Sequence, residues 1–321
     1  MNWLDLITRL DKGQDILLMT HEKPDGDAWG SVLGLGLVLE GLGFAPRFAH
    51  ASLTPSKLYS WMPGLHLVYR AAREGFTVPA GAVVLVLDCG DLNRCEFALS
   101  PAQVLLNVDH HISNPAFGAV NWLDFGAGAT AQILYSVMQP SGVSISKDAA
   151  TCFYTALAAD TGGFRFSNSS SGTLRAAADL IDLGADLELI RTHLWENRPR
   201  QELPLLREMM QSMQVFADGR GVLCALPYDV IQSAEIQEAE TDTALEAIRG
   251  VEGVEAVVLL KEAEPGKVKV SLRSKNYLDS AACMASIGGG GHLRAAGATL
   301  GESLASARDK LLRLLEDALI V

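Results

Sequence analysis

A chain of 321 residues is long enough for two domains, and 49% hydrophobic content is enough for a core in each, which excludes disorder of the whole chain. The formal net charge of −12 excludes charge-driven binding of long duplex nucleic acid, but a small anionic substrate needs only local cations or bound metal ions. Five cysteines without CxxC spacing fit a reducing cytoplasm better than a disulfide framework.

The N-terminal "MNWLDLITRLDKGQ" carries acids and an amphipathic spacing, so no signal peptide is expected. Short apolar runs then alternate with helical patterns: "DILLMTH", the helix "AWGSVLGLGLVLEGLG", "APRFAHA", "AVVLVLDCG" and "QVLLNVDHH". Near-continuous apolar strands suit a parallel sheet covered on both faces. The window "SVLGLGLVLEGLGF" is too short and glycine-rich to cross a bilayer and is broken by Glu40, so no membrane partner is expected. Helical segments follow at "DAATCFYTALAAD" and "SGTLRAAADLIDLGAD", then a charged helical stretch that reads as a connector. From about Gly221 the texture changes, with "GVLCALPYDV" and two strands joined by a Pro-Gly turn in "VEAVVLLKEAEPGKVKVSLRS". The chain closes on "GGGGHLRAAGATL" and a helix with leucines at helical spacing. The fold class is α/β: an N-terminal doubly wound, mostly parallel sheet with a smaller C-terminal α+β domain. The expected divisions are 1–186 for the metal-bearing domain, 187–214 for the connector and 215–321 for the second domain.

In open parallel sheets, ligand sites form beyond the carboxyl ends of the strands. Here "DILLM" is followed by His21, Asp25 and Asp27, "AVVLVL" by Asp88 and Asp91, and "QVLLNV" by Asp109, His110 and His111. Asp160 adds a further carboxylate where "FYTALAA" stops. Taken singly, "KPDGD" is a turn and a lone aspartate a helix cap. Their joint placement at one sheet edge favours divalent metal, because unneutralised carboxylates buried side by side cost several kcal/mol or more. Oxygen and imidazole donors without thiolate favour manganese, magnesium or iron, and two ions roughly 3.5–4 Å apart suit phosphoryl chemistry. Asp88, central in strand order, is the candidate bridge. Cys89 should point away from Asp88 and pack. In the C-terminal motif, consecutive glycines allow backbone N–H groups to approach a phosphate, with His292 as an added donor.

The segments "HEKPDGDA", "LDCGD", "VDHH", "ADTGGFRFSN" and "GGGGHLRAAG" together resemble the DHH phosphoesterase family with its DHH-associated C-terminal domain. The resemblance spans nearly the whole chain and is closest to the stand-alone branch acting on nanoRNA and on adenosine 3′,5′-bisphosphate (pAp). It implies that His21 and Asp25 hold one manganese, that Asp27, His110 and Asp160 hold the other, and that Asp88 bridges them. It places Asp109 behind these ligands and His111 beside the scissile phosphate, so that Asp88, His110 and His111 are the catalytic set. In the second domain Ser271, Arg273, Gly289, Gly290, Gly291 and His292 match nucleotide-contacting positions. The family more often shows a glutamate where Gln132 stands.

The expected activity is hydrolysis of short oligoribonucleotides and linear dinucleotides such as pApA and pGpG to mononucleotides, and of pAp to AMP. The expected cofactor is a pair of divalent ions, Mn2+ first, then Mg2+ or Fe2+. The rivals are a stand-alone cyclic di-AMP phosphodiesterase and a noncatalytic nucleotide-binding regulator. Arg94, Arg165 and Asn114 flank the motifs within reach of substrate. The amphipathic end helices leave a homodimer open.

Overall fold

A computed structural model describes residues 3–51, 55, 58–71, 75–197, 200–233, 235–236 and 241–319, and the chain divides after Asn197 into two compact units. In the first, β1 (Ile16–Met19), β2 (Pro46–His50), β3 (Val68–Arg70), β4 (Val83–Leu87), β5 (Val104–Asp109) and β6 (Val120–Leu123) form a six-stranded sheet in the order β3-β2-β1-β4-β5-β6. Every pairing is parallel. The winding runs outward from β1 in one direction and from β4 in the other. The winding direction switches between β1 and β4, and in open parallel sheets the carboxyl ends of strands at such a switch are where ligand sites form.

Alternation along the strands divides the core. Ile16, Leu18, Leu85 and Leu87 face a cluster built by α1 (Trp3–Thr8), α2 (Gly26–Gly41), α3 (Thr130–Ser141), α4 (Lys147–Asp160) and α5 (Ser171–Asp182). Leu17, Met19, Val84 and Val86 face the opposite side, where Cys89, Cys95, Phe76 and Phe97 cover them from irregular segments.

The helix α2 is buried on nearly all sides because it lies between the sheet and α4. Its Gly26, Gly30 and Gly34 recur every fourth residue, and a methyl at these positions would collide with Ala159, the Cys152 carbonyl and the Phe153 ring. The stripe lets the helices approach antiparallel, which brings the end of α4 beside the start of α2. Gly30→Ala is expected to destabilise the fold by about 1–3 kcal/mol, the range for overpacking, as read by urea unfolding.

The region 187–214 divides between the units. The short α6 (Leu187–Arg191) and the π-helical turn Thr192–Glu196 pack Ile190 and Leu194 on Ala158, whereas α7 (Glu202–Gln211) buries Leu205 and Met209 in the second unit.

In that unit β7 (Gln214–Phe216), β8 (Gly221–Leu226), β9 (Ala256–Glu264), β10 (Lys267–Ser274), β11 (Gly290–His292) and β12 (Ala295–Leu300) form a mixed sheet in the order β11-β12-β10-β9-β8-β7. Only β8 and β9 pair in parallel. Ala256, Val258 and Leu260 of β9 meet Leu311, Leu315 and Leu319 of α11 (Leu304–Leu319). Val257 and Leu259 meet α7 and α9 (Asp242–Arg249) on the other face. The short helices α8 (Tyr228–Gln232) and α10 (Ser280–Ala285) complete the unit. Among the described residues no helix is long and apolar enough to cross a membrane.

Candidate metal centre

His21 follows β1 and is 8% exposed, and its Nε2 lies 3.8 Å from Asp88 Oδ2. Asp25 is the N-cap of α2, its side chain accepting from the backbone N–H groups of Asp27 and Ala28. Ligand atoms of His21, Asp25 and Asp88 lie within 4.8 Å of one another.

The other Asp88 oxygen faces a second group. Its Oδ1 is 3.7 Å from His110 Nε2, which is also 3.7 Å from Asp27 Oδ2 and 3.7 Å from Asp160 Oδ2. These separations are too long for hydrogen bonds, yet short enough for both atoms to reach one ion at about 2.1 Å. The Nδ1–H of His110 donates to the Ala127 carbonyl at 3.2 Å, leaving the Nε2 lone pair for a metal. Asp88 has φ 51°, a left-handed conformation uncommon outside glycine, and its N–H donates to Val108 at the end of β5. The residue is held against its own preference where its two oxygens can serve two clusters.

Electrostatics reinforces the case for cations. Burial drives the Asp88 carboxyl well above the usual carboxylate range, and Asp27, Asp25, Asp160 and Asp109 push the same way. Burial likewise raises Asp27, against the opposing pull of His110. Asp160 is pushed up to about 7, by burial first and then by Asp27. Burial lowers His21. Without a divalent ion the cluster takes up protons; with one, deprotonated carboxylates and a neutral imidazole are what coordination requires. The donor set of carboxylate oxygens and imidazole nitrogens fits a hard or borderline divalent metal.

His111 differs from His110. Its Nδ1 hydrogen-bonds Asp109 Oδ1 at 2.7 Å, and that bond raises its affinity for a proton. Burial would raise Asp109, but the bonds from His111 and Asn114 bring it below its ordinary value. Asn114, buried, donates to Asp109 Oδ2 at 2.6 Å and to Asn107 Oδ1 at 2.8 Å, so it supports Asp109 and His111 from behind. Asn114→Ala is expected to lower kcat roughly 10–100-fold with little change in KM, as a steady-state assay would read.

A profile of the DHH family N-terminal domain matches residues 15–157, and a DHHA1 domain profile matches residues 225–320. The chain is 32% identical, over 95% of its own length and 90% of the relative's, to a protein of Thermus thermophilus named bifunctional oligoribonuclease and PAP phosphatase NrnA. The chain belongs to the DHH family. A Bacillus subtilis protein of the same name is 25% identical over 92% of each chain. The crystal structure of an exopolyphosphatase-related protein from Bacteroides fragilis shares the fold, with a TM-score of 0.88 at 22% identity over 99% of this chain and 96% of that one.

As a DHH phosphoesterase the chain has parts that its motifs leave unseen. The backbone N–H groups of Thr130 and Ala131, which open α3, donate to the two oxygens of Asp27 at 2.6 and 3.2 Å. Asp27 therefore caps a helix 103 residues away, and the N-cap Ala129 has no side-chain cap of its own. Thr130 Oγ1 also donates to Asp88 Oδ1 at 3.1 Å. The signal for this was an uncapped helix start at "GAGAT", which calls for an acceptor from elsewhere. At Gln132 the Oε1 accepts from Gly128 N–H and Thr173 Oγ1, both at 2.8 Å, tying the start of α3 to α5. Asp91 only caps the turn Leu92–Arg94, and Cys89 packs beneath the sheet.

In the second unit Ser271 and Arg273 are half-buried on β10, opposite Gly297 and Ala295 of β12. Of the four consecutive glycines, Gly290 and Gly291 open β11. Gly289 and Gly291 have a packing reason, because a side chain would strike the Gly297 carbonyl and Ala296 respectively. At Gly290 a side chain would meet nothing within 4 Å, so packing among the described residues does not require glycine there. The His292 side chain lies outside the described residues.

Proposed function

We propose that this phosphoesterase hydrolyses short linear oligoribonucleotides and dinucleotides to mononucleotides and dephosphorylates pAp to AMP, using two divalent ions, Mn2+ first among the candidates. The observation that carries the reading is the facing of the two Asp88 oxygens toward separate histidine–carboxylate groups, His21 with Asp25 and His110 with Asp27 and Asp160. The activities for which the Thermus and Bacillus relatives are named support the substrate class. When bound, a pair of divalent ions acidifies water and neutralises charge on the phosphoryl oxygens.

The chain's own residues do the rest. His111, its Nδ1 held by Asp109, offers Nε2–H to a phosphoryl oxygen that gains charge in the transition state. Thr130, through Asp88, and α3, through Asp27, fix the carboxylates so that little reorganisation accompanies the reaction. In the second unit Arg273 would grip a phosphate with paired N–H groups, aided by Ser271, His292 and the backbone of Gly289, Gly290 and Gly291. Arg273→Ala is expected to raise KM for pApA about tenfold while leaving kcat within a small factor, the split that loss of a ground-state contact produces.

The deciding experiment compares turnover of pAp, pApA, longer oligomers and cyclic di-AMP with manganese present. Faster turnover of pAp and pApA than of cyclic di-AMP supports the reading. Preference for the cyclic substrate would move the enzyme to the cyclic phosphodiesterases. No turnover of any of them would make it a binding regulator.

A further inference from the structure

We propose that Cys89 and Cys95 form an oxidisable thiol pair, a modification site whose closure to a disulfide disables the metal centre; the loss of activity, though not the bond itself, rests on the function proposed above. The two Sγ atoms lie 3.4 Å apart within the apolar cluster on the sheet face opposite α2. Each cysteine is tied to a candidate metal ligand, Cys89 by a peptide bond and Cys95 by backbone pairing. Cys89 directly follows Asp88, and the backbone of Cys95 forms an antiparallel bridge with His21. Glu22, after His21, donates its N–H to the Arg94 carbonyl, so the segment between the cysteines and the His21 turn move together.

A disulfide would draw the sulfurs to about 2.05 Å from their present 3.4 Å. The contraction falls on a short segment that begins at Asp88, whose left-handed backbone persists only while its surroundings hold it. Shifting Asp88 moves a carboxylate that faces both clusters.

The oxidant is a small hydroperoxide. Attack of one thiol sulfur breaks the O–O bond, giving a sulfenic acid on that cysteine and one water. The second thiol sulfur then attacks the oxidised one, and the hydroxyl leaves with the second thiol's proton as another water. The thiols together lose two electrons and the peroxide gains them. A thiol reductant reverses the bond.

The test treats the manganese-loaded full chain with hydrogen peroxide, maps disulfide-linked peptides by mass spectrometry, and follows both pApA hydrolysis and manganese retention on dialysis. The expected result is a Cys89–Cys95 peptide, a loss of rate on the order of 100-fold, as an ångström-scale misplacement produces, and recovery with dithiothreitol. Cys95→Ser should keep the basal rate and resist peroxide. Absence of the linked peptide overturns the site. A linked peptide that leaves both rate and manganese retention unchanged overturns its coupling to the metal centre, as does equal peroxide sensitivity in Cys95→Ser. Should the untreated protein hydrolyse none of the substrates, the function reading fails, while the peptide map and manganese retention still decide the pair.

Discussion

Replacing Asp88 with alanine is expected to lower pApA hydrolysis on the order of 1,000-fold or more while the chain stays folded. Among the described residues Asp88 faces both His21 and His110 with its two oxygens, so on the proposed assignment its removal strips a ligand from each group, and it leaves Thr130 Oγ1 without this acceptor. The stability effects oppose one another. Alanine in the left-handed conformation costs about 1–2 kcal/mol, whereas loss of a buried carboxyl crowded by Asp27, Asp25 and Asp160 relieves repulsion. Circular dichroism should therefore show a cooperative transition close to that of the metal-free parent, and equilibrium dialysis should show reduced manganese uptake. Activity retained within tenfold would remove Asp88 from the centre of the site.

Metal-stripped protein is expected to melt at a lower temperature near pH 8 than near pH 5, and added manganese should raise the melting temperature more at the higher pH. Asp160 is pushed up to about 7 and both Asp27 and Asp88 lie above their ordinary values, so these three carboxyls bind more protons in the native state than in the unfolded chain. For an acid shifted upward, the stabilising contribution is complete below the unfolded value of about 4 and disappears as pH rises through the folded value. Bound divalent ions replace those protons and cancel the slope. Asp160→Asn, which cannot ionise, should flatten the dependence of the stripped protein, distinguishing this cluster from general repulsion in a chain of net charge −12. Scanning calorimetry across the range reads both arms. A stripped protein whose melting temperature rises steadily with pH would contradict the crowding of carboxylates on which the metal assignment depends.

Much of the site was legible because the signals are local. His21, Asp88 and His110 each follow an apolar strand run, and parallel strands end at the same edge. The strands β3 and β6 escaped notice because they are short and lie at the sheet's two edges, where half-exposed residues weaken the apolar pattern. Asn114 and Thr130 were invisible as positioning residues for a different reason: asparagine and threonine are ordinary loop and helix-start residues until a buried carboxylate lies beside them.

By itself the sequence determined the element types, the order of the candidate ligands and the phosphoesterase family, since apolar periodicity and residue identity act over a few neighbours. Tertiary structure decided which groups meet. The glycine stripe of α2, which local patterning does not reveal, admits α4 so closely that Asp160 reaches His110. The start of α3 finds its cap in Asp27, 103 residues earlier in the chain. Such pairings depend on how closely packed helices approach and on which donors are left unsatisfied after folding, and neither property belongs to any single stretch of residues.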